Sequence, residues 1–474
     1  MAANFQPNQE DMPESGLPEL RLKHTTKCAN HRMDEQSVKY LDVTVENPGN
    51  LESLIGTEAL EVDSLVVRGS INDVDFRTMW NASLNGVLSV INLENASIAD
   101  NKLPDYAFCH LNEQLSDDKT EYYVIRLRRI ILPEGVEEIG EMAFEAAGDL
   151  EMVNIPSSMK KLGKYCFGDC SSLGIESLVL PEGLELIDEG AFTYCSNLNR
   201  EVALPSTLKQ IGDYAFYLSA ISGVTFNEGL ERLGGHAFSG CKLKSVVLPN
   251  SCVNFGDGSQ FSTNLELEYI HLPEGMTEIP FGFAKGCISL KEINIPDNVS
   301  VINHDAFLSC EQLQSLELPE GVKSVYFNAF SGLKAIEEMV FPSSLEFLGI
   351  NSCEAWSNVK RIYCKALVPP TCDTSDDGRT PFGKIEDEYA GDTPKSTPLY
   401  VPVGTGDLYR NAAGWSYFTN IIETNDFPGA SVERISAEQP VRDNSIYDLL
   451  GRKVTHPVAG EIYIQAGKKL IFSK

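Results

Sequence analysis

An α/β, β-rich solenoid of about ten or more 22–25-residue coils, with short parallel strands, helical turns and terminal caps, is the fold class predicted by three observations. A proline, once replaced by asparagine, returns at near-constant intervals. Apolar columns keep fixed offsets from it without a polar interruption. An Ala-Phe pair follows near the eleventh position of most coils.

The landmarks are Pro133, Pro156, Pro181, Pro205, Asn227, Pro249, Pro273, Pro296, Pro319 and Pro342, separated by 22 to 25 residues. The residue one before each, from Leu132 to Phe341, is Leu, Ile or Phe, and the residue three before, from Ile130 to Met339, is equally apolar. This period of two reads as a short strand with one buried face. Proline then ends the strand, because it has no N–H to give a ladder. Gly135, Gly183, Gly229, Gly275 and Gly321 follow where a turn needs permissive dihedrals. Two further apolar columns lie three residues after the landmark (Val136 to Leu345) and six after it (Ile139 to Leu348).

The Ala-Phe pairs are Ala143-Phe144, Ala191-Phe192, Ala215-Phe216, Ala237-Phe238, Ala306-Phe307 and Ala329-Phe330. Phe261 and Phe283 slip by one residue, and Cys353 takes the ring's place in the last coil. The segment is expected to make a short helical turn whose ring plugs the coil. A single coil cannot bury these side chains, whereas stacked coils share a continuous core. Each buried side chain contributes roughly 1.5–3 kcal/mol before entropy is subtracted.

The motif L-x-x-L-x-L-P-x-x-L-x-x-I-x-x-x-A-F-x-x-C is carried by Leu290-Ile293-Ile295-Pro296-Val299-Ile302-Ala306-Phe307-Cys310, and nearly so by Leu313 to Phe330. It resembles the BspA-like, or Treponema-type, leucine-rich repeats. The resemblance implies a leucine-rich-repeat solenoid and a binding role. A right-handed parallel β-helix has a similar period, and the Ala-Phe turn argues against it.

Five regions are expected: a polar N-terminal tail over 1–37, degenerate N-terminal repeats forming a cap over 38–120, the array over 121–365, a C-terminal cap over 366–425 and a small β module over 426–474. In the first cap, Leu65-Val66-Val67 and Leu88-Val90-Ile91-Leu93 read as strand runs, Ala107-Phe108 carries the pair, and Asn112 to Glu121 reads as a loop. In the second, Tyr409, Trp415 and Phe418 are expected to cover the open end of the core. The last module, with Ser445 to Val454 and Ile462-Tyr463-Ile464, resembles a small C-terminal module of secreted Bacteroidetes proteins, whose relatives act in export and surface attachment. A plain β-appendage is the alternative, since Glu461 stands where glycine is usual.

Formal charge is −30, from 38 Lys+Arg against 68 Asp+Glu. Such a surface repels nucleic acid and anionic membranes. It serves solubility, or else a cationic ligand, a divalent metal or a basic host protein. No run approaches the roughly 18 apolar residues of a membrane span. The opening residues lack the features of a secretory signal, so the protein is either cytosolic or has a leader outside this chain.

Chemistry is sparse. Of twelve cysteines, Cys170, Cys195, Cys241, Cys287 and Cys310 stand fourteen residues after their landmarks, as core filling would place them. Cys364 and Cys372 either close a loop or remain free thiols. The seven histidines form no H-x-x-x-H or H-E-x-x-H pattern, and nucleophile-elbow, phosphate-loop and dinucleotide fingerprints are missing. No catalytic residue, metal site or cofactor is expected.

Positions two and four before each landmark face outward, by inference on the concave side. Small and apolar residues in the middle give way to Tyr269, His271, Glu292, Asn294, Glu317 and Glu338. Adjacent strands lie about 4.8 Å apart, so these six form the candidate partner-binding patch, against the alternative of an ordinary solvated face. The chain is therefore expected to be a non-catalytic, monomeric scaffold at the cell surface or outside the cell. Its partners, implied by the resemblance, are a host extracellular-matrix or surface protein, another bacterial surface, or a glycan. The rival readings are a purely structural surface protein and a carbohydrate-active enzyme on a β-helix.

Overall fold

The computed structural model describes residues 39–109, 125–174, 179–386 and 392–428, together with four short strands between 446 and 471. The tail over 1–37 and the loop expected from Asn112 to Glu121 lie outside the described residues. The chain divides into two compact units, Met1–Asn425 and Asp426–Lys474.

The first unit is the stacked solenoid that the columns predict. The strand before the landmark pairs in parallel with its counterpart one coil on. Arg129 lies opposite Met152, Glu201 opposite Gly223, and Ser245, Val246 and Val247 opposite Tyr269, Ile270 and His271. Ile130, Val153, Val202, Val246 and Ile270 point inward and are buried.

A second parallel ladder was not foreseen. It is built by the fifth and sixth residues after each landmark, two residues per coil. Seven strands from Lys102–Leu103 to Asn254–Phe255 make one stretch, and five from Glu278–Ile279 to Thr371–Cys372 make the next. Ile139, Leu162, Ile187, Ile211 and Leu233 face one another in register inside the core. Gly135, Gly183 and Gly229, between the two strands, take φ of 97°, 110° and 115°. Gly275 and Gly321 do not adopt positive φ; at Gly321 a Cβ would stand 2.7 Å from the Asp297 carbonyl, so close approach is what requires glycine there.

The expected helical turn is realised as a run of turn residues between two left-handed positions, nine and thirteen residues after the landmark. Met142 and Ala146 (φ 51° and 59°) bracket Phe144, and Tyr214 and Leu218 (58° and 52°) bracket Phe216. The alternating backbone aims every second N–H at the next coil. Met142, Phe144 and Ala146 donate to the carbonyls of Lys164, Cys166 and Gly168 at 2.7, 2.9 and 2.9 Å. A regular helix would keep these bonds within its own turns; here they join coils.

The phenylalanines form the spine of the core. Rings of Phe108, Phe144, Phe167, Phe192, Phe216 and Phe238 stack near parallel, with centroids 5.1–5.4 Å apart. The stack turns where the spacing slips: Phe261 and Phe283 meet at 75°. Beside the spine runs a second column. The Sγ atoms of Cys170, Cys195, Cys241 and Cys287 each lie 3.1 Å from a phenylalanine carbonyl of the preceding coil (Phe144, Phe167, Phe216 and Phe261). Asn264 and Trp356 donate from the same slot to Phe238 and Phe330, at 2.7 and 2.8 Å. Burial pushes the thiols of Cys241 and Cys287 up to about 12, so they remain protonated donors. Cys364 and Cys372 are buried free thiols.

The N-terminal cap holds the helix Asp73–Asn85, which buries Phe76 and Met79. Asn72 and Asp75 form a capping box, and the fully buried Asp75 carboxylate also accepts the Gly49 and Leu51 N–H groups. Phe76 meets the first ring of the spine, Phe108, edge-on at 5.9 Å. At the other end, strands Leu399–Pro402 and Ile421–Thr424 extend the ladder. Trp356, Phe382, Tyr409 and Trp415 are fully buried there. Trp415 Nε1 donates to the Pro370 carbonyl at 2.8 Å, and Tyr409 Oη to that of Ala366 at 2.7 Å.

In the second unit, Ile446–Tyr447, Lys453–Val454, Ile462–Gln465 and Lys468–Ile471 form an antiparallel sheet.

Candidate functional site

The outward row of the first ladder is positioned by strand register. Tyr269 stands between Ser245 and Glu292 on neighbouring strands, and His271 lies opposite Val247. Tyr269 and His271 are half-buried, whereas Glu292 and Glu317 are exposed. Burial, with the Glu292 charge beside it, holds the Tyr269 phenol above its ordinary range, so it offers a neutral hydroxyl. Glu317 bridges in parallel to Val340, and Glu338 lies opposite Arg361 one coil further on.

Two of the six expected site residues are engaged within the scaffold. The Asn294 amide clamps the preceding strand, accepting the Leu272 N–H at 2.7 Å and donating to the Leu272 carbonyl at 3.4 Å. Asn154 does the same to Leu132. The Glu338 carboxylate accepts from Arg361 Nε at 2.8 Å. Tyr269, His271, Glu292 and Glu317 remain as the part of the strip that presents polar groups outward. Towards the N-terminus the same row mixes polar residues such as Arg129, Asn154 and Glu201 with exposed apolar ones, Val179 at 71% and Val247 at 56% exposure.

An open cleft of about 1110 Å³ lies further along, lined by Arg129, Asn154, Ser172, Asn197 and Arg200 among others. Its lining includes Gly174, the last described residue before a gap in the described set, and no role is assigned to it. Sequence reasoning passed over one chemically unusual group. Glu145, only 5% exposed, has an Oε2 atom with no hydrogen-bond partner among the described residues. Its carboxyl is pushed up to about 8, by burial first and by the Asp169 charge second. The equivalent positions of other coils carry Thr193, Ser239 and Ser331, and the last coil carries Glu354, so residue type alone gave only a weak signal. Among the described residues no group of three or more His, Cys, Asp and Glu is placed to hold a metal. No helix there is long and apolar enough to cross a membrane.

The family model described as the BspA type leucine-rich repeat region matches over residues 118–234, 191–287 and 277–369, in six copies. Among solved structures, a leucine-rich repeat protein from Bacteroides ovatus is 22% identical, covering 55% of this chain and 70% of its own, with a TM-score of 0.40. A leucine-rich cell surface protein from Faecalibacterium prausnitzii is 19% identical over 72% of this chain and 84% of its own, with a TM-score of 0.38. The T. pallidum leucine-rich repeat protein is 30% identical over 39% of this chain and 78% of its own, with a TM-score of 0.30. No curated protein matches. Because the matched stretches together run from 118 to 369, more than half of the 474 residues, this chain belongs to the BspA-type leucine-rich-repeat proteins.

Proposed function

We propose that the protein is a non-catalytic binding scaffold of the cell surface or extracellular space, recognising a protein partner on the outward row of its first ladder. The observation that carries this reading is the register that sets Tyr269 beside Glu292 and His271 beside Val247 on paired strands. A row of side chains held by backbone pairing needs no reorganisation to meet a partner, which reduces the ordering cost of binding. The −30 charge selects for basic or neutral partners. Extracellular-matrix or surface proteins of a host and the surface proteins of other bacteria are the candidates, and the chain acts as a monomer.

The test is an array of extracellular-matrix proteins and glycans probed with the full chain and with Tyr269→Ala/Glu317→Ala. Saturable binding to a defined protein, weakened by the double substitution, supports the reading. Silence on every spot favours a purely structural surface protein. Turnover of a polysaccharide in solution would make the protein an enzyme and overturn it.

A further inference from the structure

The eighth residue after the landmark changes character along the solenoid. Through the first coils the column carries Glu141, Lys164, Glu189, Asp213 and Asp257, interrupted once by Gly235. It then becomes Phe281, His304 and Phe327 in three consecutive coils. These side chains do not join the core: Phe281 is 45% exposed, Phe327 41%, and His304 is exposed as well. Tyr326 stacks on His304 with centroids 5.1 Å apart and planes within 12°, while Phe327 flanks His304 at 6.4 Å. Asp305, next to His304, is paired with Lys285 at 3.3 Å, while the exposed Glu278 stands three residues before Phe281.

We propose that this aromatic column is a second binding site, separate from the outward row of the first ladder, and that it takes a neutral polysaccharide chain lying along the solenoid axis. Three arguments select this occupant. The loss of the charged column over these coils weakens the local attraction for a basic partner. The acidity of the whole chain disfavours a polyanion. The area is too small for a folded partner: an aromatic side chain covers about 150–250 Å², so two phenylalanines exposed by less than half offer on the order of 200 Å² between them, against about 800 Å² per side of a stable protein interface.

A pyranose has the matching chemistry. Its C–H faces pack on aromatic rings, and its hydroxyls hydrogen-bond to the imidazole, phenol and amide groups of His304, Tyr326 and Asn328; the Asn303 amide is spent on the Ile279 carbonyl at 3.0 Å. Coils repeat about every 4.8 Å, a spacing close to one sugar unit, so Phe281 and Phe327, two coils apart, stand about two sugar units from each other.

The experiment is electrophoresis of the full chain through native gels containing laminarin, yeast mannan, glucomannan or galactomannan, with alginate as an acidic counter-probe. The comparison set is Phe281→Ala/Phe327→Ala, the milder Phe281→Leu/Phe327→Leu, and Tyr269→Ala. Retardation of the native protein and of Tyr269→Ala by at least one neutral polysaccharide, weakened about tenfold by losing both rings, is the expected result. The Leu pair keeps apolar bulk without the ring, and gives the answer should the Ala pair fail to fold. Unchanged mobility of the native protein in all four neutral gels overturns the proposal, as does full retardation of a folded variant without the rings or retardation by alginate alone. A native dimer that becomes monomeric without the rings, in sedimentation velocity, would mark the column as a self-association face and also overturn it. Failure here leaves the protein-binding row untouched, because that row is read by Tyr269→Ala/Glu317→Ala on the protein array.

Discussion

The indole Nε1 of Trp356 donates to the carbonyl oxygen of Phe330 at 2.8 Å, in the slot where five other coils place a cysteine thiol. The shared feature of that column is therefore a hydrogen-bond donor as well as an apolar volume. Each phenylalanine carbonyl has two lone pairs. That of Phe167, for example, accepts the Cys170 N–H of its own turn and the Cys195 thiol of the next coil.

Cys195→Ala should lower stability by about 1–2 kcal/mol, combining lost burial with a lost hydrogen bond. Cys195→Ser, which restores a donor, should cost less. Chemical-denaturation midpoints of the two variants decide the matter. A serine variant less stable than the alanine variant would reduce the column to apolar filling.

Glu145 should make the protein less stable as pH rises. Its folded carboxyl titrates near 8 against an ordinary value of 4.5. Between these values the folded state holds a proton that the unfolded state has released. Stability therefore falls from about pH 4.5 upward and levels off above 8, by about 5 kcal/mol in total for this group. Thermal midpoints across pH 4–9 should show Glu145→Gln falling less steeply than the native protein. Parallel curves would contradict the assignment.

Gly190 sits at a left-handed position, φ 60°, directly beneath the Tyr165 ring, where a Cβ would stand 2.2 Å from the ring carbon. Gly190→Ala should cost about 1–3 kcal/mol through overpacking and backbone strain. Adding Tyr165→Ala should recover part of it. A double-mutant cycle in denaturant reads the coupling, and a coupling near zero would remove the contact.

Tyr269→Ala and Glu317→Ala touch side chains whose backbones, not their tips, build the ladder. Their effect on folding should stay within about 0.5 kcal/mol, with the loss confined to partner binding. A midpoint shift well beyond that would recast them as structural.

The first ladder, the Phe spine and the cysteine column were legible because each repeats a residue type at constant spacing, with its inward face unbroken from Leu132 to Phe341. The second ladder was hidden because a two-residue strand such as Lys161–Leu162 shows one inward residue per coil, too few for an alternation. The turn geometry was hidden for a different reason. The left-handed positions accept Met142, Tyr214, His236 and Asn328 as well as glycine, so inter-coil hydrogen bonding holds a conformation that local preference does not announce. The cap helix Asp73–Asn85 had a readable start in Asn72 and Asp75 and apolar residues at Phe76 and Met79, but an expectation of further coils concealed it. In the candidate strip, outward position was legible and engagement was not. Asn294 faces outward and yet spends its amide on the neighbouring strand.

Parallel stacking of successive coils in register is most directly tested by disulfide trapping. Val247 and His271, 24 residues apart in sequence, are register partners on adjacent strands, within the Cα range a disulfide spans. Val247→Cys/His271→Cys should cross-link under mild oxidation, as read by peptide mapping, while Ala203→Cys/Val247→Cys, two coils apart, should not. No bond in the first pair, or equal bonding in both, would contradict the stacked architecture.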